Sequence, residues 1–294
     1  MESLQKILKS ILDIDSNTSA ILIISLFIFI IGLFFTWIGF IIKNLIMRKN
    51  YRKSFYSVVI KLIPQIKEKS QEFDNFQTIL NIDNSKNYRF EEKSIALINT
   101  LLSFEFVDIF NSYTSGIENS FNKKETRRNA IIVSYDNIYL LKNLENKYLQ
   151  HISDFNNEIS KYQDRRNISV KEFSNLSDGI LHNYYYNKDY KFSPNEIDYY
   201  EKLNKIHTDA QQTGETAKQF VGFHENICEP ILSLNKKFQE IPNILLLNDC
   251  LLSVKINYDS INNVLSLYKD IFKSYNRKYC EAAKELEDCK KKLN

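Results

Sequence analysis

A repeat of apolar residues in steps of three and four, running through residues 203–293, constrains this chain more than any other feature. The repeat is interrupted only at Pro242-Asn243 and then resumes. A 3.5-residue spacing sustained over more than three heptads is typical of a coiled coil. We therefore predict an antiparallel helical hairpin over residues 193–294. Its seam residues are Leu203, Ile206, Ala210, Thr213, Ala217, Phe220, His224, Ile227, Ile231, Leu234, Phe238 and Ile241 in the first arm, and Leu247, Leu251, Val254, Tyr258, Ile261, Leu265, Tyr268, Phe272, Tyr275, Tyr279, Ala282, Leu286, Cys289 and Leu293 in the second.

The start of the hairpin carries strong helix-initiation signals. Ser193 suits an N-cap, Pro194 suits the first helical position, and Glu196 completes a capping box. Pro230 should bend the first arm. Each arm would be about 70 Å long as a single helix, and we expect the hairpin to pack against a preceding helix or to dimerise through its seam.

Composition supports a helical fold throughout. Glycine occurs 6 times and proline 4 times in 294 residues, against a typical combined share of about 12%. So few glycines leave little scope for sandwiches, barrels, Rossmann loops or P-loops. The predicted fold class is all-α, and the near-balance of 39 basic and 36 acidic residues, a net charge of +3, argues against nucleic acid as a partner.

Residues 20–42 form an uncharged, almost wholly apolar run. Its length of roughly 34 Å as a helix is enough to cross a hydrocarbon core. A cleaved signal peptide does not fit, because acids precede the run and basic residues follow it. We predict one transmembrane helix, preceded by a short amphipathic helix in residues 1–19 that lies on the outer membrane surface.

The charges that flank the run predict its orientation. Residues 43–61 contain six basic residues and no acid. We therefore expect a single-pass protein of the cell's inner (plasma) membrane, with the N-terminus outside and the C-terminal domain in the cytoplasm. Residues 43–87 then form a basic juxtamembrane helix and a linker. The side chains expected to contact lipid headgroups are Lys43, Arg48, Lys49, Arg52 and Lys53.

Small residues recur on one stripe of the predicted span: Ser25, Gly32, Thr36 and Gly39. Such stripes let helix backbones approach closely in lipid. The stripe therefore predicts a homo-oligomer that assembles through its spans, although glycine is also simply common in membrane helices.

Between the span and the hairpin, residues 88–192 are predicted to form a helical cytoplasmic region. We expect a buried helix over about 91–121, a long helix over about 129–165 and a short helix that begins at the capping box Ser169-x-x-Glu172. An aromatic connector, 182–192, follows.

The candidate ligand-binding side chains lie in this connector and in the seam: His182, Tyr184, Tyr185, Tyr186, Lys188 and His224. Tyrosines interleaved with cations can stack on a base and hold a phosphate, but connector tyrosines more often cover the end of a bundle. The favoured interpretation of His224 is a core histidine with a hydrogen bond across the bundle, and the other is ligand binding or pH sensing. His151 and His207 should be solvated.

No catalytic motif is present. Neither GxSxG nor GxxxxGK[ST] occurs, and the four cysteines lack zinc-ligand spacing and should be reduced. We expect no enzyme, no metal and no cofactor. The favoured hypothesis is a membrane-anchored scaffold, tether or signal-coupling protein that binds copies of itself or a cytoplasmic protein. The alternative is a membrane effector that forms a pore or disrupts the membrane under control of its cytoplasmic domain, as in bacterial defence against phage.

Overall fold

The computed structural model describes Lys6 and residues 16–81, 94–115, 121–212 and 220–293. Across this described part of the chain every regular element is a helix, so the all-α prediction is confirmed. Apart from Lys6 and residues 16–19, the predicted amphipathic helix before the span lies outside the described residues, as do the seam positions Thr213 and Ala217. The helices are α1 (Ser16–Ile79), α2 (Ala96–Leu102), α3 (Phe106–Thr114), α4 (Phe121–Tyr186), α5 (Pro194–Gln212), α6 (Phe220–Phe223), a π-helical turn (His224–Cys228), α7 (Glu229–Asn235) and α8 (Ile244–Leu293).

Helix α1 continues without interruption from the apolar run through Pro64. A proline inside a helix removes one backbone hydrogen bond and crowds the preceding turn. Here the neighbouring side chains compensate, because Leu62, Ile63 and Ile66 are all buried. No new helix starts at Pro64.

The chain divides into two compact units. The first comprises residues 1–61, 99–136 and 286–294, and Phe55 lies at its centre. The ring of Phe55 stacks on Tyr135 with centroids 5.6 Å apart and meets Phe104 and Tyr113 edge-on at 6.4 Å. Two hydroxyls fix these rings to the backbone: Tyr113 donates to the carbonyl of Arg52 at 3.0 Å, and Tyr135 donates to that of Phe104 at 3.2 Å.

The prediction of a single buried helix over residues 91–121 is wrong. Two short helices, α2 and α3, stand there, separated at Glu105 by extended backbone with ψ 125°. The chain leaves the helical path next to Phe104, whose ring packs on Phe55. As a result Val107, expected to be buried, is 62% exposed.

The predicted helix start at Ser169 is also wrong, because α4 runs through it. The Ser169 hydroxyl lies 3.1 Å from the carbonyl of Arg165, one turn earlier, and 2.8 Å from the hydroxyl of Ser253 on α8. Serine can satisfy itself inside a helix in this way. With that side chain already engaged, the motif Ser169-x-x-Glu172 does not cap a new helix.

The second unit comprises residues 62–98 and 137–285, and an aromatic cluster fills one part of it. Phe73 of α1 is fully buried, with its ring 5.2 Å from Tyr148 of α4 and 5.3 Å from both Tyr275 and Tyr279 of α8. Three helices therefore meet around one phenylalanine. Edge-to-face and offset pairs of this kind add about 0.5–1.5 kcal/mol each to the burial of their rings.

The second predicted arm is confirmed as one helix, α8. Every seam residue from Leu247 to Leu293 is buried except Tyr258, which is half-buried. The break at Pro242-Asn243 is also confirmed, because Asn243 has φ 70°, a left-handed conformation that few residues other than glycine and asparagine adopt readily.

The first predicted arm, by contrast, is not a single helix. Helix α5 ends at Gln212, and α6 begins at Phe220. The hydroxyl of Tyr199, near the start of α5, donates to Asn235, at the end of α7, over 2.9 Å. Since these two residues are 36 positions apart, the arm folds back on itself instead of extending for about 70 Å.

The N-terminal cap of α5 forms as predicted. The amide of Glu196 donates to the Ser193 hydroxyl at 3.2 Å, and the amide of Ser193 donates to the Glu196 carboxylate at 2.7 Å. The second hydrogen bond lowers the pKa of Glu196. A π-helical turn ends at Cys228, two residues before Pro230, and the clash of a proline ring with the carbonyl four residues earlier favours such a widened turn. The bend predicted at Pro230 stays a prediction.

Candidate functional site

The most conspicuous surface of the molecule is the first part of α1. Apolar side chains there point away from the rest of the chain, with Phe29 62% and Phe35 68% exposed. Within the described residues this is the one helix that is long and apolar enough to cross a bilayer by length and composition. Large apolar patches left uncovered mark interaction surfaces.

The predicted association stripe lies on this exposed surface. At about 100° per residue, Ser25, Gly32, Thr36 and Gly39 fall within roughly 60° of each other around the helix. A side chain added at either glycine would meet nothing within 4 Å. The Thr36 hydroxyl donates to the carbonyl of Gly32 at 2.8 Å, so this face offers close backbone approach and no unsatisfied hydroxyl at Thr36.

The predicted headgroup contacts follow on the same helix. Lys43, Lys49 and Lys53 are exposed, whereas Arg48 and Arg52 are half-buried. The five side chains are thus not equivalent, and only some of them face other helices.

The aromatic connector is shorter than predicted, because α4 extends to Tyr186. The ring of Tyr184 packs 5.3 Å from Tyr200 of α5, which covers the end of the bundle. His182 lies 4.8 Å from Tyr186, and both are exposed. The candidates therefore separate into one packing residue and several solvent-facing ones, which include Tyr185 and Lys188.

A cavity of about 340 Å³ lies beside this connector. All the predicted connector candidates fall within the described residues, yet none of them lines it. Its polar lining comes instead from Asn183, Asn187, Tyr190, Glu196 and Asn243. Tyr190 donates to the Glu196 carboxylate at 3.1 Å, so two of these groups already satisfy each other.

His224 opens the π-helical turn and is 8% exposed. Its ring centroid lies 4.0 Å from that of Tyr258, and its Nε2 lies 3.8 Å from a carboxylate oxygen of Glu229. Glu229 in turn pairs with Lys255. Burial is the main cause of a lowered pKa at His224, and the Glu229 carboxylate opposes it, so a neutral imidazole packed in the core fits this position.

The two histidines expected to be solvated, His151 and His207, each have a hydroxyl partner instead. His151 lies 3.0 Å from the hydroxyl of Tyr275, and His207 lies 2.7 Å from the hydroxyl of Ser177. Burial lowers the pKa of His207. Both residues lie beside apolar positions of their helices, and each contacts a hydroxyl on another helix. The apolar pattern did not predict these hydroxyl partners.

Arg166 is a buried cation that sequence reasoning missed. It is 6% exposed, and its guanidinium lies 3.9 Å from the ring centroid of Phe220. Its Nε has no hydrogen-bond partner in the described part of the chain, and burial lowers its pKa. Arg166 continues the spacing of three and four residues set by Ile159 and Tyr162 on α4, and this spacing could have predicted that it is buried.

The four cysteines, all within the described residues, are reduced thiols. Burial raises the pKa of Cys228 to about 12, which keeps it protonated at neutral pH. In the regions that the structure describes, no group of three or more histidine, cysteine or acidic residues is placed to hold a metal ion.

Comparison of this chain with protein-family models, with curated proteins and with solved structures finds no match.

Proposed function

We propose that this chain is a single-pass membrane protein that attaches a helical cytoplasmic domain to the bilayer and works by assembling with copies of itself or a partner, not by catalysis. The observation that carries the proposal is the contrast between two apolar surfaces. The long seam of α8 is buried within the chain, while most apolar side chains of α1 between Ile21 and Met47 are exposed, with Ile23 a buried exception.

This contrast bears on how copies would meet. Leu247, Leu251 and Val254 are fully buried by the chain's own helices, so dimerisation through the seam would require the fold to open. Assembly within the bilayer needs no such rearrangement, because Gly32 and Gly39 face open space. Self-association through the span is therefore the mode that the packing favours.

Orientation and anchoring are tested together in intact cells. Cys280 is exposed and serves as a native reporter. If the C-terminal domain is cytoplasmic, a membrane-impermeant maleimide labels Cys280 only after the cells are permeabilised, and the chain stays with membranes through alkaline carbonate washing. Labelling in unopened cells would contradict the orientation, and release by carbonate would contradict the anchor.

A membrane effector is the second candidate, because the same uncovered stripe would allow spans to form a ring. Expression would then arrest growth and admit a small dye, and Gly32→Leu would abolish both effects. The matched control is Phe34→Leu, which lies about 180° from Ser25 around the helix. Unchanged dye uptake on expression of the wild type would leave the anchored scaffold as the function.

A further inference from the structure

A basic groove adjoins the exposed apolar part of α1 in the first unit. It has a volume of about 590 Å³ and is lined by side chains from four helices. Lys49, Arg52 and Lys53 come from α1, Arg127 comes from α4, and no acidic residue is among the described residues that line it. Four cations that converge from two helices on one groove provide a strongly positive site for an anion.

Arg52, one of the residues that line the groove, carries a donor that the described part of the chain does not satisfy. The Nε of Arg52 is buried and has no hydrogen-bond partner among the described residues. Buried polar atoms without a partner are rare in folded proteins, and a bound ion or ligand can supply the missing acceptor. Tyr113 is buried beneath the cations, and its hydroxyl is held by the carbonyl of Arg52 at 3.0 Å.

Two acidic residues, Asp108 of α3 and Glu105 directly before it, lie near Tyr51 of α1. The hydroxyl of Tyr51 donates a hydrogen bond to the carboxylate of Asp108, and the negative charges of Asp108 and Glu105 raise the pKa of that tyrosine. Tyr51 is not among the groove residues. Asp108 and Glu105 are not among the residues that line the groove either.

The groove is amphipathic along α1. Leu45 and Ile46 line its other end and are 44% and 55% exposed, so they continue the apolar surface of the span. Lys49 follows Ile46 by about 4.5 Å along the helix axis, within a headgroup layer of roughly 5–7 Å on each side of a bilayer. This order, apolar wall and then cations, matches a phospholipid better than a soluble anion.

We propose that this groove binds the phosphate of one anionic membrane lipid, with Arg52 and Arg127 holding the phosphate and Leu45 and Ile46 contacting its glycerol and acyl region. The inference rests on the proposed membrane anchor. It goes beyond a basic stop-transfer flank because it places Arg127, 85 residues after Ile42 in the chain, in the same site. Guanidinium groups suit this role because they bind phosphate oxygens bidentately.

The test uses the full-length chain in a mild neutral detergent and measures bound lipid by native mass spectrometry. Phosphatidylglycerol should bind at least about fivefold more tightly than neutral phosphatidylcholine, the equivalent of about one basic contact. Inorganic phosphate at equal phosphate concentration should not displace it. Displacement by phosphate would show a free-anion site and overturn the lipid assignment, as would equal binding of the two lipids.

Adjacent arginines provide a matched pair of variants. Arg127→Gln should weaken phosphatidylglycerol binding by about fivefold or more. Arg128→Gln, which removes the same charge from an exposed side chain beside Phe110, should change it by less than about twofold. Equal losses in the two variants would mean diffuse attraction to a basic surface and would refute a defined site.

A second pair of variants tests the groove independently, in case Arg127→Gln does not fold. Lys49→Gln should lose affinity, and Lys61→Gln, on the same basic flank but outside the groove, should not. Unchanged affinity in Lys49→Gln would contradict the proposal. Carbonate extraction of the wild type and of Arg127→Gln distinguishes failure of the membrane anchor from failure of lipid binding in the groove. Release of the wild type from membranes would refute the anchor itself, whereas a retained wild type that binds phosphatidylglycerol and phosphatidylcholine equally would refute only the groove.

Discussion

Two buried tyrosines of the second unit, Tyr279 and Tyr199, should respond oppositely to loss of their hydroxyls. Tyr279 is fully buried, and its hydroxyl has no hydrogen-bond partner in the described part of the chain. Burial raises its pKa, as expected for a phenol far from water. Tyr199 is equally buried, but its hydroxyl donates to Asn235 at 2.9 Å.

The magnitudes follow from the cost of an unsatisfied polar group. A buried hydroxyl without a partner costs about 1–3 kcal/mol, so Tyr279→Phe should stabilise the chain by about 1 kcal/mol. Tyr199→Phe removes a made hydrogen bond and leaves the Asn235 oxygen buried, so it should destabilise by about 1–2 kcal/mol. Neither change opens a cavity larger than one oxygen atom.

The assay is urea unfolding of the full-length variants in one mild detergent, followed by far-UV circular dichroism. We expect the midpoints to move in opposite directions, with a gap of about 2–3 kcal/mol between the two variants at an unchanged denaturant slope. Destabilisation of both variants by similar amounts would refute the reasoning, because it would mean that Tyr279 also has a partner.

Three further outcomes follow from the second unit. Ser193→Ala should lower the free energy of unfolding by about 1 kcal/mol, since it removes the cap of α5, and the same urea titration measures the loss. Burial lowers the pKa of His224 and His207 below their ordinary value of 6.5, so the unfolded chain binds protons more readily than the folded one. The free energy of unfolding should therefore fall as the pH drops from above 6.5 through the lower folded pKa values. His224→Gln should lessen that fall, and a urea midpoint that does not depend on pH would contradict the prediction. In the native protein iodoacetamide should alkylate exposed Cys280 rapidly and buried Cys228 only after unfolding, which peptide mass spectrometry resolves.

Periodicity predicted the interior of α8 because a helix seam depends only on spacing. Leu247 and Leu286 lie 39 positions apart, and both are fully buried where the repeat placed them. The N-terminal cap at Ser193 could also be predicted from the sequence, because both of its hydrogen bonds join residues within one four-residue segment, Ser193 and Glu196. The fold class follows from the same local information.

Errors arose where a distant partner decides the local structure. Ser169 has the sequence of a cap, but its hydroxyl meets Ser253 on another helix. The turn between α2 and α3 depends on Phe104 reaching Phe55. The reversal of the first arm depends on Tyr199 meeting Asn235, and an unbroken heptad pattern contains no sign of it.

The candidate site was predictable in part for the same reason. The apolar run, its small-residue stripe and its basic flank are contiguous in sequence, so each could be identified directly. Arg127 could not be, because its approach to Lys49 and Arg52 is a tertiary contact.

Self-association of the chain through its membrane-spanning helix is tested by the protein-only mass of the full-length chain in mild detergent. Light scattering at several concentrations should give a discrete oligomer for the wild type and for Phe34→Leu. Gly32→Leu should give a monomer, because the added side chain meets nothing within its own chain and can clash only with another copy. A monomeric wild type, or a Gly32→Leu variant of undiminished mass, would contradict the account.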